Sequence, residues 1–566
     1  MEPWFRKIPQ RLDEELQALE DAGYSFTLDQ VAKTAGHILI KVQYPLDGQV
    51  HDLTVHFPPN YPYCPFEIAA PTFPDGRHKN PNGGFLCLLK DPQTTWRVND
   101  LLADFLKTQV AKIAQANLHP DEAGDIEVHE AAQATGYYPY HPGTVAFTGD
   151  WQIPQEIQHG YLLLGLPAQG MNGVLRTAVL EVRDENNNVL GRLEESICKH
   201  YPRTTIGRWV RLAAPPPFEI NNAFFEATKA WSDIRNVRFN NGLDVVGLLF
   251  PEEVEYQHFQ ENWVFAVRQK VREEKPRVQS KVIPYFARAD QLSLKSLQAR
   301  VKNLSPLFTK KVLVVGLGSI GSMYAWQMAR AGIGAMDLID FDHLQFGNTP
   351  RWLLGWQASG YDKAGLLAHH LNQQYPLAKF KALLHRIGSP FSQPGRDELQ
   401  IIAEALDGTD LIFDATAEWC VSHYLSDLAR ERGIPYLWAT GTPGAYGGTI
   451  GRVVPGKTLG CWKCYQRKLN DGEIQIPNHA EVPNVQPVGC FHPTFTGTGF
   501  DIDHVTLGAV RLSASTLCAS EQGMYPDFNW DVGVVNTWST DGLPIAPEWE
   551  THTLNRHPEC DEHANE

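Results

Sequence analysis

The sequence lacks long apolar runs, an export signal and an excess of positive charge. Nothing approaches eighteen consecutive apolar residues, the length that a membrane span needs. Residues 1–23 have no apolar core before a small-residue cleavage site, and they indicate an amphipathic helix. The formal net charge of −16 argues against nucleic acid as the default partner. We therefore expect a cytoplasmic protein with neither a membrane nor a nucleic-acid partner.

Cysteine is scarce, with nine residues in a chain of 566. That odd number, without an export signal, excludes a disulfide framework and favours reduced thiols. Reduced thiols are available for metal binding or nucleophilic chemistry, so their positions are informative. The chain is also too long for one hydrophobic core, which predicts two to four domains.

Three regions of the chain differ in pattern. Residues 1–140 combine an N-terminal helix, alternating strands and a later helical run, which predicts an α+β domain. Residues 141–290 are mixed, with candidate strands and a stretch, 252–275, that fits a helix or a long strand equally. This middle region carries no motif, and we interpret it as a packing or docking module. Residues 291–566 open with strand, glycine turn, helix and strand, which predicts a parallel, Rossmann-like α/β sheet.

A glycine motif marks a nucleotide site in the C-terminal region. Gly316, Gly318 and Gly321 form GxGxxG between the apolar strand VLVV and a helix, where backbone N–H groups can approach phosphate closely. Asp340 closes the next strand, where a carboxylate can bind ribose hydroxyls. Taken alone, this pattern favours a nicotinamide or flavin enzyme.

Charged residues beyond the motif favour ATP instead. Asn348 and Arg351 follow the acidic strand end, Lys363 comes soon after, and Asp414 ends another apolar strand. Taken singly, each cation would be a solvated surface charge. Together they suit an enzyme that splits a triphosphate, because cations neutralise its charge and a carboxylate can hold Mg²⁺.

The motifs GLGSIG, D-x-D (Asp340 and Asp342) and N-x-x-R resemble the adenylation domain of ubiquitin-activating (E1) enzymes. Bacterial activators of sulfur-carrier proteins, ThiF and MoeB, belong to the same superfamily, and the resemblance covers residues 300–566. One departure is Trp352, which stands where relatives usually have Gln. Because relatives often dimerise, the resemblance implies a homodimer.

The resemblance also implies a role for each charged residue. Asp340 would bind ribose, Arg351 and Lys363 the phosphates, and Asp414 the Mg²⁺. Asn348 would help to position the triphosphate.

Four residues in two pairs suggest a structural zinc site. Cys461 and Cys464 form C-x-x-C, and Cys560 and His563 form C-x-x-H near the C-terminus. Two close pairs of soft or borderline ligands satisfy tetrahedral Zn²⁺ and leave no open position for catalysis. The E1 resemblance places pairs at corresponding locations. His557 is a competing ligand.

Cys490 lies in a Pro- and Gly-rich stretch before an apolar helical pattern, where a thiol is accessible and a helix N-terminus could lower its pKa. The resemblance implies that Cys490 is the first thioester acceptor, and a zinc ligand or an inert loop thiol is the alternative. Cys420 and Cys518 lie in apolar helical surroundings, which predicts core packing for both.

Residues 1–130 resemble ubiquitin-conjugating (E2, or UBC) enzymes through HFPPNYPYCPFEI, DGRHKNPNGGFLCLLK and a following Trp. The resemblance implies that Cys87 carries a thioester and that Asn80 stabilises the oxyanion during amine attack. Because HKNP stands where relatives have His-Pro-Asn, Asn82 is an alternative donor. The alternative for Cys87 is a buried structural thiol, and Cys64 is expected to pack.

An E2-like region followed by an E1-like region is similar to the fusion proteins of bacterial antiphage (CBASS) operons. The resemblance implies ATP-dependent activation of a protein C-terminus, relay through Cys490 and Cys87, and conjugation to a target amine. The activated protein would be a cyclic-oligonucleotide synthase or, in related operons, a ubiquitin-like protein. Three competing hypotheses are a nicotinamide-dependent oxidoreductase with an unrelated N-terminal module, a docking scaffold, and an enzyme that stops at adenylation.

Overall fold

The computed structural model divides the chain into two compact units, Met1–Gln291 and Leu292–Glu566. No described helix is both long and apolar enough to cross a membrane. The structure describes residues 2–74, 76, 78–89, 95–118, 133–168, 175–231, 242–255, 258–273, 279–389, 397–477, 496–519, 521 and 524–563.

The first unit begins with an antiparallel four-stranded sheet in the order β1-β2-β3-β4. Its strands are β1 Ser25–Leu28, β2 Ile38–Leu46, β3 Gln49–Phe57 and β4 Glu67–Ala69. Alternate residues of β2, such as Ile38, Ile40 and Val42, are buried, so the sheet presents one apolar face. Four helices cover that face: α1 Trp4–Lys7, α2 Pro9–Asp21, α4 Leu102–Phe105 and α5 Ala111–Leu118, with a π-helical turn between the last two. A further helix, α3 Gln30–Thr34, buries none of its residues.

A second sheet in the same unit closes into a barrel. Its strands are β5 Tyr140–Thr148, β6 His159–Leu166, β7 Arg176–Asp184, β8 Val189–Arg192, β9 Arg203–Arg211, β10 Leu243–Glu255, β11 His258–Glu273 and β12 Gln279–Gln291. The order is β5-β12-β11-β10-β9-β6-β7-β8, and β5 also pairs with β7, so seven strands form a ring and β8 extends it. Two short helices belong to this part: α6 Glu195–Cys198 and α7 Asn222–Trp231.

The barrel settles the stretch that the sequence left undecided between helix and strand, because most of it forms β11. Candidate strands of the middle region on either side of the polar residues 185–188 form β7 and β8, which pair as an antiparallel hairpin. A buried arginine holds α7 to the barrel wall: Arg208 of β9 donates to Asp244 Oδ1 of β10 at 2.5 Å and to Thr228 Oγ1 of α7 at 3.1 Å.

The second unit is built on an eight-stranded sheet in the order β15-β14-β13-β16-β17-β18-β19-β20. The strands are β13 Lys311–Val315, β14 Ala335–Asp340, β15 Lys379–Leu384, β16 Leu411–Asp414, β17 Tyr436–Gly441, β18 Gly447–Val453, β19 Val532–Trp538 and β20 Pro544–His552. Strands β13 to β17 pair in parallel, and β17 to β20 are antiparallel. The predicted parallel α/β sheet is confirmed.

Helices pack on both faces of this sheet, which explains why its strands are nearly continuous apolar runs. The helices are α8 Leu294–Gln298, α9 Ser319–Ala331, α10 Lys363–Gln374, α11 Glu398–Leu406, α12 Trp419–Arg432, α13 Trp462–Asn470 and α14 Gly499–Cys518. The carboxyl ends of β13, β14 and β16 meet at one edge, where α/β sheets bind ligands. The glycine loop and the acidic strand ends lie at this edge.

Candidate nucleotide site and thiol loop

The glycine loop is held so tightly that two of its positions require glycine. Gly316 has φ +84°, and a Cβ there would lie 2.9 Å from the Ala415 carbonyl carbon. A Cβ on Gly321 would lie 1.8 Å from the Gly316 carbonyl oxygen. Gly318, which precedes α9, has open space within 4 Å of a Cβ. The loop therefore delivers the N-terminus of α9, with its unpaired N–H groups, to the sheet edge.

Two carboxylates and one ammonium are fixed beside that loop. Asp340 Oδ2 accepts from the Leu317 N–H at 2.6 Å, and its Oδ1 accepts from the Asp342 N–H at 2.8 Å. Lys363, which begins α10, is buried, and its Nζ lies 2.5 Å from Asp342 Oδ2. Backbone amides and an ion pair thus set the direction of each charged group before any ligand binds.

These groups line one open pocket at the carboxyl edge of the sheet. The sequence-predicted residues in its wall are Gly316, Gly318, Asp340 and Lys363. The pocket wall, as the structure describes it, does not include Gly321, Asn348, Arg351 or Asp414. Its remaining polar lining comes from Asp342, His385, Arg386, Thr416 and Glu418.

Asp414 is sealed beneath the pocket. Its side chain is 2% exposed, and the carboxylate accepts four hydrogen bonds. Oδ1 accepts from Thr416 N and Oγ1 at 2.9 and 2.7 Å, while Oδ2 accepts from Ser422 Oγ at 2.6 Å and Tyr436 OH at 2.8 Å. Both carboxylate oxygens of Asp414 are thus occupied by hydrogen bonds within the protein, and its magnesium role stays a prediction.

Arg351 and Asn348 form a turn beside the pocket. Asn348 Oδ1 accepts from the Gln345 N–H at 3.1 Å, and the Asn348 carbonyl accepts from the Arg351 N–H at 3.0 Å. Burial lowers the pKa of the half-buried Arg351 guanidinium. The neighbouring Trp352 is buried and donates from Nε1 to the Leu317 carbonyl at 2.8 Å, so this departure from the family pattern supports the glycine loop from below.

Sequence reasoning missed three side chains of the pocket. Glu418 lies just past the end of β16 and immediately before α12, and its position soon after Asp414 was the available signal. His385 is buried, with Nε2 3.1 Å from Glu398 Oε2. The Arg386 guanidinium lies 5.1 Å from the centre of the Phe341 ring. The last two follow β15, a strand without any motif.

Three thiols form a buried cluster elsewhere in the second unit. The sulfurs of Cys461, Cys464 and Cys560 lie within 4.8 Å of one another. The Cys464 sulfur also accepts from the His557 N–H at 3.3 Å. Hydrogen bonds from Cys461 and from backbone N–H groups lower the pKa of the Cys464 thiol. Thiolate sulfur held by backbone N–H is a donor set that suits Zn²⁺.

The two histidines considered for this site differ. The ring of His557 is engaged on both sides, because Nε2 lies 2.8 Å from Asp471 Oδ2 and Nδ1 accepts from the Glu559 N–H at 3.1 Å. His563 ends a short 3₁₀ helix, Asp561–His563, and its side chain lies outside the described residues. His563 stays a predicted ligand, while His557 is already committed to other partners.

The N-terminal segment presents Cys87 on a short loop, residues 78–87, which we call the thiol loop. Cys87 is exposed, and its N–H donates to the His78 carbonyl at 2.7 Å. Gly83 and Gly84 have φ of +93° and +70°, and a Cβ on Gly84 would lie 2.8 Å from Pro71 Cα. The loop therefore turns sharply against the sheet and leaves the thiol at the surface.

Asparagine and lysine side chains organise the thiol loop from inside. Asn80 Oδ1 accepts from the Asn82 N–H at 2.7 Å. Lys79 is buried, and its ammonium donates to the Phe73 carbonyl at 2.6 Å and the Pro71 carbonyl at 3.2 Å. Lys79 thus ties the loop to the backbone at Pro71 and Phe73.

The other cysteines fall into three groups. Cys490 lies outside the described residues. Cys518 is fully buried, as the sequence predicted, and Cys64 is partly buried and accepts from Asn60 Nδ2 at 2.9 Å. The prediction of core packing for Cys420 is wrong: this thiol is exposed, because it lies on the outward face of α12, whereas Val421, Leu425 and Ala429 form the buried face.

Comparison with known proteins finds a family match in the second unit. Residues 289–520 match the ThiF family. The protein y4oA of Sinorhizobium fredii is 27% identical over 98% of this chain and 97% of its own length. The ATP-dependent ubiquitin transferase-like protein Cap2 of Enterobacter hormaechei is 31% identical over 24% of this chain and 21% of its own.

A third relative is the sulfur carrier protein ThiS adenylyltransferase of Escherichia coli, 24% identical over 28% of this chain and 59% of its own length. The match to the ThiF family, residues 289–520, contains the glycine loop, Asp340, Asp342 and Lys363. Enzymes of this family use ATP and Mg²⁺. Residues 289–520 are therefore similar to the E1-like adenylation domains of the ThiF family.

Proposed function

We propose that the chain activates the C-terminus of a protein with ATP and relays the acyl group through two of its cysteines to an amine. The observation that carries the proposal is the pocket in which the glycine loop, Asp340 and the Lys363 ammonium converge, within a ThiF-family domain. A cation at the phosphates and a carboxylate at the ribose suit ATP better than a redox dinucleotide.

In the first step, an oxygen of the substrate carboxylate forms a bond to the α-phosphorus of ATP, and pyrophosphate leaves. Backbone N–H groups at the start of α9 hold phosphate oxygens, and Asp340 holds the ribose. Lys363, freed from Asp342 or shared with it, stabilises the negative charge of the phosphates. The product is an acyl-adenylate.

Magnesium would be held by the carboxylates that face the pocket. Glu418 and Asp342 line its wall, whereas Asp414 is closed off by its four hydrogen bonds. We therefore assign the magnesium role to Glu418, with Asp342, in place of Asp414. Bound there, Mg²⁺ would offset the charge of the triphosphate. Asp414 would keep the loop that carries Glu418 in place.

The acyl group then moves to sulfur. The Cys490 thiolate attacks the acyl carbonyl, the bond to AMP breaks and AMP leaves. The Cys87 thiolate takes the acyl group in turn, and Cys490 leaves as the thiolate. Finally an amine nitrogen attacks the Cys87 thioester, the carbon–sulfur bond breaks, and an amide forms. Exposure of Cys87 on the thiol loop supports its place as the last carrier, because two other proteins must reach it.

Asn80 is the donor we assign to the oxyanion of that last step. Its Oδ1 already accepts from the Asn82 N–H, so the amide N–H₂ is the part of this side chain that would donate to the oxyanion. The Asn82 amide instead donates to the Tyr137 carbonyl at 3.2 Å, which argues against Asn82 as the donor.

The activated protein is a cyclic-oligonucleotide synthase of an antiphage operon or a ubiquitin-like protein. Similarity to a ubiquitin transferase-like protein supports a protein substrate, and it covers only 24% of this chain. Both candidates are therefore arms of the experiment. In line with the family resemblance, we propose that the enzyme acts as a homodimer.

ATP–pyrophosphate exchange tests adenylation. We expect exchange of labelled pyrophosphate into ATP only with the carrier protein whose C-terminus is activated, and no exchange after removal of its last residue. Binding of a nicotinamide dinucleotide in the pocket, with no exchange by any carrier, would contradict the proposal and favour an oxidoreductase.

Non-reducing gels test the relay. The wild-type protein with ATP and carrier should form an adduct that thiols cleave. Cys87→Ala should trap the acyl group at Cys490, Cys490→Ala should abolish both adducts, and Cys518→Ala, at a buried thiol, should change neither. An adduct that survives both Cys87→Ala and Cys490→Ala would overturn the relay, while loss of adducts with intact exchange would leave an enzyme that stops at adenylation.

The thiol cluster is the proposed structural zinc site, with Cys461, Cys464 and Cys560 as three ligands and His563 as the fourth. Metal analysis should find about one zinc ion for each chain, lost in Cys560→Ser and retained in Cys518→Ser. Zinc that persists in Cys560→Ser would exclude this site.

A further inference from the structure

The barrel has no place in the reaction just described, yet it contacts the thiol loop. Asn82 Nδ2 donates a hydrogen bond to the Tyr137 carbonyl at 3.2 Å. Tyr137 belongs to residues 133–138, the segment that leads into β5 of the barrel. Both partners lie in the first compact unit, so this bond joins the loop that carries Cys87 to the barrel.

The segment that carries Tyr137 is firmly held at the barrel edge. Glu252, which is 3% exposed, accepts from Thr135 N at 3.0 Å and Thr135 Oγ1 at 2.7 Å. The same carboxylate accepts from Asn262 Nδ2 at 2.6 Å. On the other side of Tyr137, the buried Tyr138 hydroxyl donates to the Pro216 carbonyl at 2.6 Å. The Tyr137 carbonyl therefore has fixed neighbours on both sides.

On the loop side, Asn82 acts on Asn80. The Asn82 N–H donates to Asn80 Oδ1 at 2.7 Å, and the backbone of Asn80 bonds to Phe85 O at 2.7 Å and Gly84 N at 3.0 Å. Because the backbone and Oδ1 of Asn80 are held, the direction of its Nδ2 is set. A path of hydrogen bonds and the backbone segments between them runs from Glu252 through residues 135–137 and Asn82 to Asn80.

We infer that the barrel is a positioning element for amide formation at Cys87. It holds Asn82, through the Tyr137 carbonyl, so that Asn80 presents its amide to the oxyanion as the amine attacks. The inference rests on the proposed function, because it requires a thioester on Cys87. Asn82 is accordingly a positioning residue that acts through Asn80 and touches no reacting atom.

The test uses the full-length chain and bypasses adenylation. Cys87 is charged with a synthetic peptide whose C-terminal glycine is a thioester of mercaptoethanesulfonate. Exchange forms the Cys87–acyl bond and releases mercaptoethanesulfonate. Free lysine is then added: its amine forms the amide, the carbon–sulfur bond breaks, and the amine proton passes to the departing thiolate. Intact-protein mass spectrometry follows the loss of acyl-enzyme at increasing lysine concentrations, with Cys87→Ala as the background.

Asn82→Asp keeps the size of the side chain and the backbone N–H but removes the donor to Tyr137. We expect its maximal rate to fall about tenfold with an unchanged half-saturating lysine concentration, against about 100-fold for Asn80→Ala. The double variant should be no slower than Asn80→Ala alone, because Asn82 acts through Asn80. Asn60→Asp, at an exposed asparagine of the same segment, is the matched control and should match the parent.

A change on the barrel side tests the same chain of bonds. Thr135→Val removes the hydroxyl that donates to Glu252 and should slow discharge about threefold, an effect that vanishes in the Asn80→Ala background. This variant also serves if Asn82→Asp folds poorly.

The outcomes separate this inference from the proposed function. If Asn80→Ala is slow while Asn82→Asp and Thr135→Val match the parent, the barrel has no positioning role and the thioester chemistry stands. If the effects of Asn80→Ala and Asn82→Asp multiply, Asn82 acts independently and the inference fails. If the parent protein is charged and discharged no better than Cys87→Ala, the proposed function fails, and this inference fails with it.

Discussion

The nucleotide pocket and the thiol loop hold their functional groups in opposite ways. In the pocket, Asp340, Asp342 and Lys363 come from two strand ends and a helix start, and backbone amides or ion pairs fix each one. In the thiol loop, Cys87 is exposed on a short turn that depends on Gly84 and on local hydrogen bonds.

The difference follows from what each site would bind. A nucleotide is small and highly charged, so its site gains from polar groups that are oriented in advance. A thiol that exchanges an acyl group between proteins must protrude, because its partners are too large to enter a pocket. We therefore expect substitutions in the pocket to lower activity strongly. Substitutions in the thiol loop should destabilise that loop alone.

The glycine loop gives the largest expected effect. Gly321→Ala places a Cβ where the Gly316 carbonyl oxygen now lies 1.8 Å away, so the loop must shift. A displacement of about 1 Å at the phosphates should lower ATP–pyrophosphate exchange by at least about 100-fold. Thioester formation on Cys87 from a chemically supplied peptide thioester should be unchanged, because that step bypasses the pocket.

Gly318→Ala is the matched control, since nothing lies within 4 Å of its Cβ, and its exchange rate should stay within about threefold of the parent. Equal losses for Gly318→Ala and Gly321→Ala would mean that glycine itself, rather than close contact, matters at both positions. Melting temperatures of both variants separate loss of binding from loss of folding.

The sequence predicted those parts of the candidate nucleotide site that are formed by residues close together in the chain. Strand, GxGxxG, helix and acidic strand end lie within a short stretch of sequence, and the structure assembles them as expected. The hydrogen bonds that occupy the Asp414 carboxylate could not be predicted in that way. Its carboxylate is sealed partly by Tyr436, which lies on the adjacent strand β17, and strand adjacency is a property of the folded sheet.

The barrel shows the same limit on a larger scale. Alternating patterns predicted several of its strands, but closure depends on the pairing of Val145 to Phe147 with Arg176 to Ala178, two segments with no shared motif. The exposed Cys420 was missed for a related reason: apolar neighbours in sequence indicated burial, whereas Cys420 lies on the outward face of α12 and its neighbour Val421 on the buried face.

Substitutions of the two carboxylates near β16, Glu418 and Asp414, test which of them binds the metal ion, and we expect smaller effects than for Gly321→Ala. Glu418→Gln should raise the Mg²⁺ concentration needed for half-maximal exchange about 30-fold, because a charged ligand becomes neutral. Mn²⁺ titration followed by electron paramagnetic resonance, in the presence of ATP, should show the same weakening without reference to turnover. ATP binding in the absence of divalent cation should be unchanged.

Asp414→Asn should behave differently. It should destabilise the second unit by about 2–3 kcal/mol, because an amide N–H₂ would face hydroxyl and N–H donors, and leave the Mn²⁺ affinity of the folded protein unchanged. Weaker Mn²⁺ binding in Asp414→Asn, with Glu418→Gln unaffected, would return the magnesium role to Asp414.

The smallest effect is expected for Lys79→Met, which tests whether destabilisation of the thiol loop stays within that loop. Lys79→Met keeps the buried stem but removes the ammonium that donates to Phe73 and Pro71, leaving two carbonyls without that donor at a cost of about 1–2 kcal/mol. Native-state hydrogen exchange should show faster opening at the amides of Asn80 and Cys87, and no change at Leu317 in the glycine loop. Lys41→Met, at an exposed lysine of β2, should alter neither site. An equal loss of protection at Leu317 would mean that the thiol loop and the pocket open together as one cooperative unit, because loss of the Lys79 ammonium would then destabilise both.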